Sequence, residues 1–526
     1  MTEPQDQPAR AGAVLATLII VAGVANLNLS VANVALPSIG RAFDASQTAL
    51  NMIAVGFSLG LAASVVYLGA LGDRYGRKMI LLIGMGLSIP AALLAAFAWS
   101  EQILALARIF GGVCAGMAYP TTLALITALW PEGPKRTKAI ARWSAIGGGI
   151  MVLGPLTAGW LLEHFWWGSV FLITAPLAVV AFTLAFIIVP AHVNESTEPV
   201  DNLGGVLSVI MIATLVLAIN FAPVPGAWQV AIGLAVVAAI AAVLFIRRQR
   251  RAPNPLYDLT YAKRRTFWAA AVAGIVCFGT LMGTMYIGQQ FLQNVLGYNT
   301  LASGFAILPS SIAMILVAGL SAKMVNNLGS RNTLLAGFAS IALGFVVMLV
   351  FWKVSTPVIW VIIAYAFVGL GVGLAGTPAS NSLTASVPPK RAGMASGTAD
   401  LQRDLGGAIM QSILGALLSV GYAFSVAKIV AKSPDASQVT DSILAQFQKS
   451  FAGALELSDQ YPQYATEIVA AAKKAFLDGA NLAYAAGILA VVIGALITYF
   501  FYPAKDKERE LLESYAKQDK APTGAS

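Results

Sequence analysis

The chain has 526 residues, of which 58% are hydrophobic and only 11% charged, and its mean hydropathy is +0.76. Soluble globular domains carry about 25% charged residues, so this composition excludes a soluble enzyme or binding domain and indicates a polytopic membrane protein. The formal net charge of +9 does not predict a nucleic-acid partner, because basic loops next to membrane spans account for it.

The apolar residues fall into fourteen segments, each long enough to cross a bilayer as a helix of about 20 residues. The predicted spans are 12–37, 49–71, 79–99, 102–129, 143–162, 168–189, 204–222, 227–246, 267–291, 302–322, 332–352, 357–386, 392–424 and 478–502. An even number of spans places both termini on one side. Most of the 33 Lys and Arg residues lie in segments on that side, which predicts that both termini are cytoplasmic and that the protein lies in the cell membrane.

The spans predict an all-α fold of two six-helix bundles with two extra central helices between them. The expected parts are an N-terminal tail (1–11), an N-terminal bundle (12–189), two extra helices with a basic connector (190–266), a C-terminal bundle (267–502) with an outer loop (425–477), and a C-terminal tail (503–526). The stretch GALGDRYGRK after the second span is echoed by GLSAKMVNNLGSRN after the tenth. Such a repeat is typical of transporters that work by rocking two similar bundles.

Two regions outside the spans carry further predictions. The outer loop is expected to form two surface helices with one apolar face each, in the stretches VTDSILAQFQKSFAGALEL and YATEIVAAAKKAFLDG. The charged tail after Pro503 is expected to fray. The connector 247–265 is rich in arginine. It is predicted either to bind anionic lipid headgroups or, more simply, to serve as an orientation signal.

Cofactor chemistry is not expected. The two cysteines lie in apolar runs, and the sequence has no CxxC pair, zinc-binding HExxH helix or phosphate-binding loop. We therefore expect no metal, no cofactor and no enzymatic activity. Energy for any transport would come from an ion gradient, with protons or sodium as the coupling ion, or from the gradient of the substrate itself.

The short charged stretch after the second span resembles the signature loop of the major facilitator superfamily. The matching residues are Gly69, Asp73, Arg74, Gly76, Arg77 and Lys78. Gly69 would let a neighbouring helix approach closely, and Gly76 would permit a tight turn. Asp73 near a helix end would pair with a basic residue or cap another helix. These charges are interpreted as a latch that joins the bundles in one state; the alternative is that the basic residues only set orientation.

Four further stretches resemble the fourteen-span drug:proton antiporter family: SVANVALPSI, RIFGGVCAG, VLGYNTLASGFAILP and ASGTADLQRDLGGAIM. A fifth, GIMVLGPLTAG, resembles the antiporter motif of that family. Its residues here are Gly149, Gly154, Pro155 and Gly159. The glycines would allow close helix packing and the proline a bend. The alternative is a structural kink in a packed span.

The sequence departs from the family at its usual ion site. The resemblance implies an aspartate in the first span, where this chain has Asn28, which cannot titrate. The deep acids are instead Asp400 and Asp404, which flank Arg403 in the thirteenth span. Their i,i+4 spacing puts both carboxylates on one helix face, and Arg403 is expected to reach Asp400. Two buried acids that share one cation cannot both ionise at low cost, so we predict that Asp404, with Asp400, carries the coupled proton. The alternative is a neutralised structural cluster.

The remaining candidate sites are Arg108 and a set of cavity residues. Arg108 is a buried charge in the fourth span; it either modulates proton transfer or donates hydrogen bonds to the backbone of the first span, with Asn28 and Gln102 as possible partners. The residues proposed to line a substrate cavity share aromatic or amide side chains: Asn28, Tyr119, Tyr286, Gln289, Gln290 and Asn381.

Together these features predict a proton-coupled exporter of small amphipathic drugs or similar hydrophobic compounds that works by alternating access. A second interpretation is export of an endogenous lipid, glycolipid precursor or anionic metabolite, since Asn28 weakens the case for lipophilic cations. A third is a membrane receptor or assembly factor that keeps the transporter fold without flux.

Overall fold

The fold is described from a computed structural model that covers residues 10–520, apart from 131–133, 192–198, 389–391 and 434–437. Helices occupy most of that part of the chain. The N-terminal half contains α1 (Ala11–Phe43), α2 (Gln47–Tyr75), α3 (Arg77–Ala96), α4 (Glu101–Leu129), α5 (Pro134–His164), α6 (Ser169–Leu172) and α7 (Thr174–Ile188).

Two further long helices, α8 (Asn202–Phe221) and α9 (Trp228–Arg251), precede the C-terminal half. That half contains α10 (Leu259–Ala262), α11 (Arg265–Gln290), α12 (Thr300–Leu328), α13 (Ser330–Phe351), α14 (Val358–Ala385), α15 (Ala392–Val430), α16 (Asp441–Lys449), α17 (Phe451–Gln460), α18 (Ala465–Phe501) and α19 (Lys505–Lys520). A π-helical turn, Phe291–Val295, extends α11.

Every predicted span corresponds to a helix. Thirteen helical segments within the described residues are long and apolar enough to cross a membrane, and the 31-residue helix α5 corresponds to the remaining prediction. Three of the helices that follow short loops begin at polar side chains: Ser46, Ser100 and Asn299 each accept a hydrogen bond from a backbone N–H of the first turn. Such caps satisfy donors that a membrane helix cannot leave unpaired.

Two bundles pack as the sequence repeat predicts. In the N-terminal bundle α2 packs on α4, α3 on α4 and α1 on α5; in the C-terminal bundle α11 packs on α15, α12 on α14 and α13 on α14. The repeat is visible in two matching turns. Gly76 joins α2 to α3 with φ 115°, and Gly329 joins α12 to α13 with φ 84°. These backbone angles favour glycine, which explains why both copies of the motif keep one there.

We name the two ends of the molecule by what they carry. The terminal face is the end where α1 begins and α18 finishes, and the loop face is the opposite end, where α16 and α17 lie.

The predicted outer loop is shorter than expected, because α15 continues to Val430 and α18 begins at Ala465. The stretch YATEIVAAAKKAFLDG is therefore mostly the first part of α18, and the prediction of a separate surface helix there was wrong.

The prediction that the C-terminal tail frays was also wrong. Residues Lys505–Lys520 form α19, which docks on the terminal face of the C-terminal bundle. Asp519 makes a bidentate ion pair with Arg264, at 2.6 and 3.0 Å. Glu508 accepts hydrogen bonds from Ser330 N at 3.2 Å and from Tyr502 Oη at 2.8 Å. The Tyr502 hydroxyl is the donor in the second of these bonds, because a carboxylate oxygen can only accept.

Candidate functional site

The two bundles meet in mid-molecule at Arg403 on α15. Its Nη1 donates to Tyr119 Oη on α4 at 2.9 Å, and its guanidinium carbon lies 4.8 Å from the centre of the Tyr119 ring. On its own helix Arg403 Nε donates to Asp404 Oδ1 at 3.3 Å. One cation is thus shared between a carboxylate of the C-terminal bundle and an aromatic hydroxyl of the N-terminal bundle.

The acid pair differs from the prediction in one respect. The described ion pair of Arg403 is with Asp404, the next residue, rather than with Asp400 at i,i+3. Asp404 is 2% exposed, and its Oδ2 has no hydrogen-bond partner among the described residues. Asp400 is half-buried on the same helix face. A buried carboxylate oxygen without a donor costs free energy when it is ionised, and binding a proton relieves that cost.

The loop face is closed by a hydrogen-bonded group that joins α2 to α11. Gln47 Nε2 donates to Tyr286 Oη at 3.0 Å and to Gln290 Oε1 at 2.9 Å. Nearby, Gln293 in the π-helical turn donates to Val34 O of α1 at 2.9 Å. A π-turn adds one residue to a helix and re-aims the side chains around it, which here brings Gln293 to the N-terminal bundle.

The antiporter motif on α5 closes another part of the loop face. Gly154 packs against Ser30 of α1. Gly159 faces α12. The Gly159 carbonyl oxygen accepts a hydrogen bond from Thr300 Oγ1 of α12 at 2.9 Å. A Cβ added to Gly304 on α12 would lie 2.6 Å from Pro155 O. The motif therefore lets α5 approach helices of both bundles. The surroundings of Gly149 lie outside the described residues.

Helices α16 and α17 cover the closed end. Lys449 Nζ forms an ion pair with Asp44 Oδ2, where α1 ends. The side chain of Ala452 on α17 lies beside Gly40 of α1. Tyr422 Oη of α15 donates to Ser450 O at 3.0 Å between the two helices. This connection is therefore attached to the C-terminal bundle and contacts the N-terminal one.

The signature loop lies on the terminal face and makes its described contacts within the N-terminal half. Asp73 Oδ1 pairs with Arg77 Nε at 2.8 Å, Arg77 Nη1 donates to Ala124 O at 3.2 Å, and Lys78 Nζ donates to Phe186 O at 2.8 Å. The expectation that Gly69 admits a neighbouring helix is not met, because a Cβ added there would meet no atom within 4 Å. Arg74 belongs to the same turn, and Gly76 makes the tight turn that was predicted.

Arg108 is fully enclosed in the N-terminal bundle. Its Nη1 donates to Asn28 O at 2.9 Å, and its guanidinium carbon lies 4.9 Å and 5.3 Å from the ring centres of Phe57 and Phe171. Of the two possible partners, Asn28 contributes its backbone carbonyl, whereas Gln102 donates to Glu101 Oε1. This geometry matches the backbone-bonding alternative, with the rings offsetting part of the cost of a buried charge.

The six proposed cavity residues do not lie together. Tyr286 and Gln290 belong to the closed loop face, and Tyr119 contacts Arg403. Gln289 donates to Ser303 O inside the C-terminal bundle at 2.9 Å. The remaining two lie at separate positions, with Asn28 on α1 and Asn381 exposed near the end of α14.

Sequence reasoning missed a polar cluster where α8 meets both bundles. Asn51 Nδ2 of α2 donates to Asn220 Oδ1 of α8 at 2.7 Å, and Asn220 Nδ2 donates to Ser412 Oγ of α15 at 2.7 Å. The available signal was the rarity of asparagine within apolar spans, since a buried amide there needs a partner.

Comparison with known proteins gives concordant matches. The family profile described as Major Facilitator Superfamily matches residues 18–411. The chain is 31% identical to the multidrug efflux pump LfrA of Mycolicibacterium smegmatis over 94% of this chain and 97% of that protein. It is 34% identical to the multidrug resistance protein Stp of Mycobacterium tuberculosis, over 75% of this chain and 73% of that one.

Among solved structures, the inward-facing, unoccupied crystal structure of a bacterial homolog of the human lysosomal transporter Spinster matches with a TM-score of 0.64. The identity is 15%, over 98% of this chain and 100% of that one, so this match concerns the fold alone. The family resemblance and the fold class inferred from the motifs are confirmed by these matches.

Proposed function

The chain belongs to the major facilitator superfamily, and from this membership and the geometry of the site we propose that it is a proton-coupled exporter of amphipathic drugs or similar hydrophobic compounds. It would work by alternating access between the two bundles. The names of its relatives, a multidrug efflux pump and a multidrug resistance protein, support the substrate class.

One observation carries the proton-coupling part of the proposal: Arg403 is held by Asp404 in one bundle and by Tyr119 in the other. A proton on Asp404 removes the negative charge that holds Arg403 on α15. The guanidinium would then depend on Tyr119 and on Asp400, one turn away. Protonation therefore changes how strongly Arg403 is held at the contact between the bundles, which is what coupling requires.

The closed loop face indicates which conformation of the transport cycle the structure represents. The described hydrogen bonds between the two bundles lie at Arg403 or closer to the loop face, as with Gln47 and Gln293. If the terminal face is cytoplasmic, as the basic residues predict, this is an inward-facing state. The opposite state would require the Gln47 contacts to break and the signature loop to meet the C-terminal bundle.

The exposed arginines of the connector support a role for anionic lipid. Arg248 is paired with Asp201 at 2.8 Å and Arg264 with Asp519. Arg247, Arg250 and Arg251 are exposed at the end of α9. We propose that these three side chains contact anionic headgroups of the membrane surface, where each basic residue contributes about 1 kcal/mol; serving as an orientation signal is the simpler alternative.

The deciding experiment is dye efflux from proteoliposomes with an imposed pH gradient. The intact chain should accumulate or extrude the dye only while the gradient exists. Asp404→Asn should abolish this drive and retain dye binding, because the amide keeps the shape of the carboxyl but cannot release a proton. Asp441→Asn, at the start of α16, is the matched control and should transport normally. Normal coupling in Asp404→Asn would refute the proton role.

The same proteoliposomes distinguish the two alternative functions from drug export. An exporter of an endogenous lipid or anionic metabolite would respond to the pH gradient with labelled lipid or anion but not with dye. A transporter-like receptor or assembly factor would show no counterflow of any of these compounds. A sodium gradient in place of the pH gradient tests the other coupling ion.

A further inference from the structure

The extra helix α8 lies along the line where α2 of the N-terminal bundle meets α15 of the C-terminal bundle. Near its middle, Ile212 packs in an apolar cluster that includes Leu405 of α15. One turn closer to the loop face, Val216 packs in a second cluster that includes Ala408 of α15. Both clusters also contain residues of α2. Helix α8 therefore contacts both bundles, and its partner in the C-terminal bundle is the helix that carries Arg403.

At the loop-face end of α8, the amide of Asn220 bonds to both bundles. Its Oδ1 accepts a hydrogen bond from Asn51 Nδ2 of α2 at 2.7 Å, and its Nδ2 donates to Ser412 Oγ of α15 at 2.7 Å. Asn51 and Asn220 are each 1% exposed. A buried amide that loses a hydrogen-bond partner finds no water to replace it, so these bonds fix the position of α8 against both helices.

Helix α8 is attached to α2 at the terminal face as well. Tyr67 Oη of α2 donates to Asn202 Oδ1 at 3.1 Å. The Tyr67 ring also packs on Gly205 so closely that a Cβ added to this glycine would lie 2.1 Å from ring carbon Cδ2. With the Asn51 bond at the other end, α8 is thus held to α2 at two distant points.

The connector that follows α9 attaches the same pair of extra helices to the start of α15. Gln249 Nε2 of α9 donates to Asp201 Oδ2, next to α8, at 3.0 Å, and Gln249 Oε1 accepts a hydrogen bond from Tyr257 N of the connector at 2.9 Å. The next residue, Asp258, donates its backbone N–H to Met394 Sδ of α15 at 3.3 Å. The connector is therefore fixed to the extra helices on one side and to α15 on the other.

The two attachments to α15 lie on either side of the proposed coupling site. At the terminal end the Tyr257 hydroxyl forms a hydrogen bond with Thr398, and at the loop-face end Asn220 bonds to Ser412. These two positions are about 21 Å apart along the helix axis, at 1.5 Å per residue, and Arg403 lies between them. The segment of α15 that contains Arg403 is thus held at both ends by one structure.

We propose that α8, α9 and the connector up to Asp258 form a strap that holds α15 in register with α2 and so places Arg403 at Tyr119, with Asn220 as its positioning residue. Tyr119 lies on α4, which packs on α2, so the position of α15 along α2 determines whether the guanidinium meets the tyrosine hydroxyl. The proposal rests on the proton-coupled exporter function and adds a role for the extra helices.

The strap would act on coupling through position and not through charge. Helix α8, Asn202–Phe221, has no charged side chain, and the amides and hydroxyl of Asn51, Asn220 and Ser412 do not titrate. The charged and titratable groups described where α4 faces α15 are Tyr119, Asp400, Arg403 and Asp404. A change in the pH dependence of transport after substitution of Asn220 would therefore arise from displacement of these groups.

The test measures the initial rate of dye efflux as a function of pH in proteoliposomes that contain the full chain. Asn220→Leu keeps the approximate volume and removes both hydrogen bonds. It should lower the rate several-fold and displace the pH profile in the same direction as Tyr119→Phe. The combined variant should be displaced no further than the larger single change, because both substitutions act on one contact.

Two milder variants cover the case in which Asn220→Leu fails to fold. Ser412→Ala removes the bond to α15 at one end of the strap, and Tyr257→Phe removes the hydroxyl at the other; both should displace the profile in the same direction. Thr214→Val on α8 and Ser419→Ala on α15 are the matched controls, since their hydroxyls donate within their own helices, to Ile210 O and Gly415 O. These controls should leave the profile in place.

Three results would overturn the strap. These are an unchanged pH profile in Ser412→Ala and Tyr257→Phe, an additive displacement when Asn220→Leu is combined with Tyr119→Phe, or an equal displacement in the control variants. A lower melting temperature with an unchanged profile would show that the extra helices only stabilise the fold. Absence of gradient-driven transport by the unmodified chain would instead refute the exporter function itself.

Discussion

Tyr119 and Arg403 are 284 positions apart in the chain, yet the tyrosine hydroxyl accepts a hydrogen bond from the guanidinium at 2.9 Å and joins the two bundles. Tyr119 is 4% exposed and the Arg403 side chain is 21% exposed, so the contact is mostly removed from water. A hydrogen bond from a charged donor in such a place contributes about 1.5–3 kcal/mol. Arg403 also pairs with Asp404, so this contact responds to the charge of the proposed proton carrier.

Tyr119→Phe should weaken the coupling between proton and substrate. The variant keeps the ring that lies against Arg403 but removes the hydroxyl, so Arg403 would be held by the carboxylates of α15 alone. We expect a lower transport rate and a displaced pH profile of efflux, with dye binding retained. The measurement is the initial efflux rate as a function of pH in proteoliposomes.

Phe182→Leu, at a partly buried ring on α7, is a suitable control for loss of aromatic packing in the same bundle. It should leave the pH profile in place. If Tyr119→Phe also leaves the profile unchanged and only lowers stability, Tyr119 has a packing role alone.

A second prediction concerns Gln47, whose amide bridges the bundles at the loop face through Tyr286 and Gln290. Gln47→Leu preserves the approximate volume but removes both hydrogen bonds and leaves the two partners unsatisfied. The closed loop face should therefore lose stability relative to the opposite state. A cysteine introduced at buried Leu50, which lines a small cavity beneath α17, should react faster with a membrane-impermeant maleimide.

The two native cysteines, Cys114 and Cys277, are buried and give a low background in this assay. Gln102→Leu, at an exposed glutamine on α4, is the control. Equal labelling rates for the Gln47 and Gln102 variants would show that these hydrogen bonds do not hold the loop face closed.

A third prediction concerns the ion pair between Asp44 and Lys449, which ties α16 to the end of α1. Lys449→Asp places two carboxylates together and should favour separation of α16 from α1, seen as faster labelling of the same Leu50 cysteine. Adding Asp44→Lys restores opposite charges and should return the rate toward that of the native pair. A double variant as open as the single one would exclude a direct electrostatic role.

Much of this fold could be predicted because membrane helices have a simple signature. Runs of apolar residues predicted every spanning helix, and the repeated glycine turns at Gly76 and Gly329 predicted the two bundles. The end of the outer loop was misplaced because 465–477 contains charged residues yet continues as the helix of the last span. Composition alone cannot tell a helix that projects beyond the bilayer from a separate surface helix.

The site was predicted in part. Arg403 and Asp404 were recognised because a charged side chain within an apolar span is energetically costly and therefore usually has a function. Their partner Tyr119 was expected only as a cavity residue. Sequence spacing does not predict which residues of one bundle contact which residues of the other. The partners of Gln47 and Asn220 were invisible for the same reason: each lies more than 150 positions away along the chain.

The last prediction concerns α19, whose docking the sequence did not suggest. Arg264 and Asp519 are 9% and 14% exposed at their side chains, and the guanidinium lies between the rings of Tyr261 and Tyr515. Asp519→Asn should lower the free energy of unfolding by about 2 kcal/mol, because a mostly buried cation loses its bidentate partner. The melting temperature of the purified protein in detergent should fall accordingly.

The exposed pair Lys507 and Glu510, on the same helix, provides the control. Their side chains are 56% and 68% exposed, and solvent-exposed ion pairs contribute little to stability. Glu510→Gln should therefore leave the melting temperature nearly unchanged. Arg264→Gln combined with Asp519→Asn should cost less than the two single changes added together, since the partners share one interaction. Additive effects would mean that α19 is held by its other contacts, such as Glu508 with Ser330, and not by this ion pair.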